Sequence, residues 1–325
     1  MSFIPTAERP ILLVGAGRSG TNLIAMALGT SSELHNVYEQ RYVWTHGMGR
    51  VTSDMRSPES ATLATVGYIR RHFERQAQDL AEGVRLVDKT PANALRLDFC
   101  LRVFPEAKVI NVIRNPFDNI ASRIVELHKT GQEVEGGDTG GARDGRGAVL
   151  ARRLRHFRDL VGRGNLPLDR IPAAVADQLP EKVRILTKGG AARYAERVPG
   201  LREVAEAAGP VAALCFQWRE LVRAARQQGT ALDPDRYLEV SYESLVQAPA
   251  ETGQRITDFV GLAAPGSVID YFTANARPET VGNWRRRLTP RQIDEIRTRL
   301  APEIAWLGID AHPTAAPTKP EAPAP

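Results

Sequence analysis

The sequence predicts an α/β fold: a P-loop-type parallel sheet flanked by helices, with a helical insertion. Three observations predict it. Short, nearly continuous apolar runs recur at residues 10–14 (PILLV), 84–87, 108–113 (KVINVI) and 237–240 (YLEV), stretches of helical spacing separate them, and the first run ends in a glycine loop that opens a helix. Strands buried on both faces read as continuous apolar runs rather than alternating ones. Strands that alternate with helices build a parallel sheet with both faces covered.

The first run stops at Gly15, and helical spacing begins at Thr21. Between them lies Gly15-Ala16-Gly17-Arg18-Ser19-Gly20-Thr21-Asn22. A glycine loop between a strand and a helix N-terminus aims backbone N–H groups at a phosphate. The glycine spacing is half of a Walker A loop, which also needs Lys after the second glycine and then Ser or Thr for Mg²⁺. Thr21 and Asn22 stand there instead. The loop therefore argues against a nucleotide kinase or triphosphatase, and Arg18 supplies the positive charge through its forked donors.

The run 108–113 leads into Arg114-Asn115-Pro116 and a helix that carries Ser122. Asn115 as N-cap with Pro116 at the first helical position is a strong helix start. Arg114 then stands at the carboxyl end of a strand, where open α/β sheets bind ligands, and Ser122 about two turns into the helix. The structural alternatives are an ion pair for Arg114 and a solvated position for Ser122. The run 84–87 leads into Asp88-Lys89-Thr90-Pro91, delivering Lys89 to the same edge unless it pairs with Asp88. Trp218 lies in an amphipathic run (CFQWRELVRAA), and Thr289-Pro290-Arg291-Gln292 is a capping box that opens the last helix.

Composition narrows the class. With 42% hydrophobic and 25% charged residues, the 325-residue chain can bury a large core. One domain is expected over 1–312, in which 131–147 is a glycine-rich mobile loop and the stretch to 209 a helical insertion, followed by a disordered Pro/Ala tail at 313–325. The net charge of +5 favours anionic ligands. The arginines are spread rather than clustered with aromatics, so nucleic acid is not expected as a partner. Cys100 and Cys215 have apolar neighbours, which suits two buried thiols in a reducing compartment and no metal site. With neither a signal peptide nor an apolar stretch of about 20 residues, a cytoplasmic protein without a membrane span is expected.

Three motifs taken in order carry a resemblance. The loop Gly17-Arg18-Ser19-Gly20-Thr21, the Arg114 and Ser122 pair, and Thr280-Val281-Gly282-Asn283-Trp284-Arg285 together resemble the family of sulfotransferases that use 3′-phosphoadenosine 5′-phosphosulfate (PAPS). The resemblance implies that Gly17, Arg18, Ser19, Gly20, Thr21 and Asn22 grip the 5′-phosphosulfate, and that Arg114 and Ser122 bind the 3′-phosphate. It implies cofactor contacts for Tyr242, within Tyr237-Leu238-Glu239-Val240-Ser241-Tyr242, and for Arg277, Trp284 and Arg285. The late motif departs from the family pattern at Pro278-Glu279, where Glu279 would repel a phosphate.

Within the family, Glu39-Gln40-Arg41 and Asp88-Lys89-Thr90-Pro91 are most similar to the tyrosylprotein-sulfotransferase-like bacterial branch. That similarity implies Glu39 as general base, Arg41 as its aid, and Lys89 with Arg18 as stabilisers of the transition state, in a metal-independent reaction that leaves adenosine 3′,5′-bisphosphate. His35 and His46 are the alternative bases, and Arg41 and His46 are also candidates to touch the acceptor, a small molecule or a peptide. A P-loop nucleotide kinase and a non-catalytic nucleotide-binding module are the competing classes. Loss of Glu39 or Lys89 would leave such a module intact.

Overall fold

The computed structural model describes residues 9–38, 40–48, 53–129 and 196–309. The expected loop at 131–147, most of the expected helical insertion and the C-terminal tail lie outside the described residues, as does Glu39.

The sheet is parallel throughout. Strands β1 (Ile11–Gly15), β2 (Leu34–Tyr38), β3 (Arg85–Lys89), β4 (Lys108–Ile113) and β5 (Tyr237–Ser241) lie in the order β2-β3-β1-β4-β5. Four of them begin within one residue of the apolar runs read from sequence. Strand β2 has no such run: Leu34 and Val37 are buried while His35 is exposed, a pattern with neither the period of a strand nor that of a helix. The polar pair His35-Asn36 interrupts the run, and Asn36 is spent on a hydrogen bond from Nδ2 to the Ala25 carbonyl at 2.6 Å. Strand β3 extends past its apolar run because the buried Asp88 carboxylate is fully engaged, accepting from Trp44 Nε1 at 2.6 Å, Asn93 Nδ2 at 3.0 Å and Thr90 Oγ1 at 2.6 Å.

Helices cover both faces, and residues of β1 alternate between two cores. Leu12 and Val14 join the cluster that holds Trp44, Phe73, Phe104 and Trp218, while Ile11 and Leu13 join the one that holds Ile24, Leu28, Val240, Ile256 and Phe272. The first is covered by α3 (Leu63–Ala77), α4 (Leu97–Val103), α5 (Pro116–Lys129) and the kinked α6 (Leu201–Gly229). The kink falls at Gly209, just before Pro210, which cannot continue the ladder. The second is covered by α1 (Thr21–Leu28), α7 (Tyr242–Gln247), α8 (Pro249–Val260) and α9 (Gly266–Asn275). The short α2 (Arg41–Trp44) sets Trp44 edge-on to Phe73 (5.6 Å), Phe104 (5.9 Å) and Phe99 (6.4 Å). After α10 (Trp284–Arg287), the expected capping box opens α11 (Pro290–Arg299) before α12 (Ala301–Trp306). Among the described residues no helix is long and apolar enough to cross a membrane.

Both cysteines are free and buried. Burial pushes the Cys215 thiol up to about 12 and that of Cys100 higher still, so neither forms the reactive thiolate near neutral pH. A disulfide-exchange reagent should therefore release no colour from the native protein and react with both thiols after denaturation. One equivalent reacting within minutes in the native state would contradict this burial.

Candidate functional site

The order of the strands decides where a site can form. Strand β1 is central, with β3 on one side and β4 on the other, so the connections leave in opposite directions and open a crevice beyond its carboxyl end. Four of the five strands deliver a motif there: β1 the loop 16–20, β3 Lys89, β4 Arg114, and β5 Tyr242. Tyr38 closes β2 in register with Lys89, and the amide of Gln40 donates to Thr90 Oγ1 at 3.0 Å. The residues on either side of Glu39 thus belong to the same edge.

The loop is held from beneath and from the side. Asn119, one turn into α5, donates through Nδ2 to the Gly17 carbonyl at 2.9 Å and to Ser19 Oγ at 3.0 Å. Gly20 has φ 99°, and a Cβ there would collide with the Tyr242 ring. Both the left-handed conformation and the close ring require glycine. At the start of α1 the Leu23 and Ile24 amides already donate to the Gly20 carbonyl, while the amides of Thr21 and Asn22 have no acceptor further back in the helix.

The structure brings Arg18, Arg114, Ser122, Tyr242 and Thr280 together. Arg18, itself at φ 69°, donates from Nε to Ser122 Oγ at 3.1 Å. Arg114 donates from Nη1 to the Arg18 carbonyl at 3.1 Å and from Nη2 to the Thr280 carbonyl at 3.3 Å, with its guanidinium over the Tyr242 ring at 4.3 Å. The Tyr242 hydroxyl pairs with Thr280 Oγ1 at 2.9 Å. A guanidinium has five N–H donors, and Arg114 Nε is buried without an acceptor. Donor capacity remains at this corner for an anion.

Two carboxylates that sequence reasoning missed fix the frame. Asp118 accepts from the amides of Gly282 (2.7 Å) and Trp284 (3.0 Å), pinning the late motif to the start of α5. Burial raises its pKa, opposed by those two amides and by Arg114 and Arg285. Glu243 accepts from the Asn115 amide at 3.0 Å and so ties the β5 corner to the β4 corner. Asp118, Asn119 and Asn115 form a polar run at the very start of a helix (Asn-Pro-Phe-Asp-Asn), and that run was the available signal.

Other candidates stand apart from this cluster. Trp284 is 2% exposed and packs on Phe117 at 4.8 Å, so its ring belongs to the core and offers no face to a base. Arg285 is exposed and lies over that ring at 4.6 Å, and Arg277 is exposed. Asn22 is exposed and Thr21 buried at the start of α1. Arg41 forms a two-bond fork with Asp54, at 2.9 and 2.7 Å. The His46 ring stacks flat on Tyr68 of α3, with centroids 3.5 Å apart. His35 sits three residues before the end of β2, about 10 Å below the edge at the strand rise. Lys89 is 6% exposed, and as a strand neighbour of Asp88 it points to the opposite face, toward α1.

Comparison with known proteins gives the family. The family model described as "Sulfotransferase family" matches residues 10–167 and 195–266, a span that includes the loop, Lys89, Arg114, Ser122 and Tyr242 but ends before the late motif. No curated protein matches. Among solved structures, the chain is similar to a sulfotransferase from Alicyclobacillus acidocaldarius at 16% identity and a TM-score of 0.47, covering 92% of this chain and 94% of that one. It is similar also to the sulfotransferase domain of the Synechococcus PCC 7002 olefin synthase, at 16% identity and a TM-score of 0.46, covering 92% and 97%. A third is the sulfotransferase STF9 from Mycobacterium avium, at 12% identity and a TM-score of 0.46, covering 93% and 77%. With the family match running through more than half of the chain and through each strand end that lines the crevice, the chain belongs to the sulfotransferase family, whose reaction is sulfuryl transfer.

Proposed function

We propose that this chain transfers a sulfuryl group from PAPS to a hydroxyl, or amine, acceptor, in the manner of the tyrosylprotein-sulfotransferase-like bacterial branch. The observation that carries the donor assignment is the joined corner of Arg18, Ser122 and Arg114 beside a glycine loop. Two phosphate-binding devices share that corner, as a nucleotide with phosphates at both its 3′ and 5′ positions requires. The loop from Gly17 to Asn22 holds the 5′ side through backbone amides and Arg18. Arg114 and Ser122 hold the 3′-phosphate, and Tyr242 stiffens the Arg114 guanidinium from its ring face.

The donor, when bound, supplies the sulfuryl group and a phosphate leaving group. The chain's own residues orient and stabilise, as in phosphoryl transfer, where positioning and charge complementarity dominate. Arg18 and Lys89 stabilise the charge on the transferring oxygens, and Glu39 removes the acceptor proton. Arg41, anchored by Asp54, stands two residues after the base in sequence. Arg277 and Arg285, both exposed on the late motif, add charge around the donor, while His46 remains a candidate to touch the acceptor. A small molecule or a peptide presents the hydroxyl, and the protein acts without a resident metal.

Adenosine 3′,5′-bisphosphate should raise the unfolding temperature without added metal, and more than Mg-ATP at equal concentration, because stabilisation follows affinity for the native state. A thermal-shift series with the bisphosphate, AMP and ATP, each with and without Mg²⁺, checks this. A larger response to Mg-ATP would favour the nucleotide kinase.

A further inference from the structure

Residues 196 and 197 reach to the two halves of the proposed site. Glu196 is 4% exposed, and its carboxylate lies 3.4 Å from Arg123 Nη2. That same Nη2 donates to Gln217 Oε1 at 2.9 Å, and Gln217 Nε2 donates back to the Glu196 carbonyl at 2.8 Å. The closed set lies against the donor loop: a Cβ on Gly17 would stand 2.6 Å from Glu196 Oε1 and 3.1 Å from Arg123 Nη1. A side chain at Gly17 would have to displace the buried Glu196 carboxylate. Arg123 also directly follows Ser122.

Arg197 faces the other way. Its amide donates to Asp54 Oδ2 at 2.7 Å and its carbonyl accepts from the Asp54 amide at 2.8 Å. Asp54, wholly buried, is the residue that forks Arg41, and its carbonyl accepts from Arg96 Nη1 at 3.0 Å. One dipeptide thus braces the loop that grips the donor and the arginine beside the base.

We propose that Glu196-Arg197 is a clasp that positions both halves of the sulfuryl-transfer site, through Glu196 and Arg123 beside Gly17 and through Asp54 on Arg41. Glu196 and Asp54 are positioning residues. Buried ion pairs are often no more stabilising than apolar groups of the same volume, so stability alone does not account for two of them converging on adjacent residues. What the fork and the carboxylate fix is geometry. The inference rests on the donor loop having the role proposed above.

Calorimetric titration of adenosine 3′,5′-bisphosphate and of AMP into wild type, Glu196→Gln, Glu196→Asp and Asp54→Asn tests it, each below its unfolding temperature. Turnover is followed with PAPS and the phenol that wild type uses best. Glu196→Gln should weaken both nucleotides by about tenfold, the loss expected from one charged hydrogen bond, and by equal factors, since both carry the 5′-phosphate the loop holds. Glu196→Asp should recover part of that loss. Asp54→Asn should leave both affinities unchanged while lowering kcat by about tenfold. Unchanged affinities in folded Glu196→Gln, or weakened affinities with normal kcat in Asp54→Asn, would overturn the clasp. If Glu196→Gln does not fold, Arg123→Lys, which keeps the charge and loses the fork, should show the same equal loss, and its absence would overturn the proposal. A wild type that binds no bisphosphate would instead sink the donor assignment.

Discussion

Glu39→Gln should lower turnover by roughly 10²-fold or more, the lower end of general-base contributions, while bisphosphate affinity stays almost unchanged. The substitution is nearly isosteric and removes only basicity. An interaction that acts on the proton leaving the acceptor matters in the transition state and hardly at all in donor binding, so the loss should fall on kcat. A graded series of phenols extends the measurement: an acceptor already ionised near neutral pH has less need of a base, and the defect should shrink along the series. His35→Ala should retain near-normal turnover, because His35 lies on the exposed side of an edge strand below the crevice, and His46→Ala should raise the KM for the acceptor while leaving kcat near normal, because a ring stacked on Tyr68 can touch the acceptor without taking its proton. Normal turnover in Glu39→Gln, together with its loss in either histidine variant, would move the base to that histidine.

Lys89→Ala should also slow transfer, with some loss of donor affinity, because the role proposed for its charge is to stabilise the sulfuryl oxygens. Its place at the end of β3, in register with Leu13 of β1 and Tyr38 of β2, sets it between the donor loop and the strand that leads to Glu39. A buried cation in that position is suited to stabilising charge that develops during transfer.

What could be read from sequence was what local chemistry dictates. Continuous apolar runs located β1, β3, β4 and β5, and the glycines and Asn115-Pro116 located the loop and the start of α5. Strand β2 escaped because an edge strand with His35 and Asn36 at its centre has no period to read. Arg18, Arg114 and Ser122 were legible as members of motifs, and the structure joins them through side-chain bonds across 96 and 104 residues of sequence. Asp118, Asn119, Asp54 and Glu196 were not legible as site residues. Each acts by accepting from or supporting a group far away in the chain, and a carboxylate looks the same in sequence whether it pins a loop or faces water. Trp284 shows the converse: the motif marks it, but packing on Phe117 buries it.

Arg114→Ala should weaken adenosine 3′,5′-bisphosphate by about 1.5–3 kcal/mol, the range for hydrogen bonds to charged groups, and leave the weaker affinity for AMP nearly unchanged. AMP lacks the 3′-phosphate, so the pair of ligands isolates that group. The structure makes the comparison sharper, because Arg114 also cross-links the site through the carbonyls of Arg18 and Thr280. Those bonds lie at a partly exposed corner where water can replace the lost donors, so their removal should cost less than the loss of a cation facing a phosphate. A purely structural Arg114 would loosen the loop at Arg18 and weaken both ligands equally. Arg114→Lys separates the two contributions further: a lysine restores charge at the phosphate but cannot span two carbonyls while stacked on Tyr242. It should recover much of the bisphosphate affinity, and equal losses for both ligands in both variants would assign Arg114 to the frame of the site rather than to the 3′-phosphate.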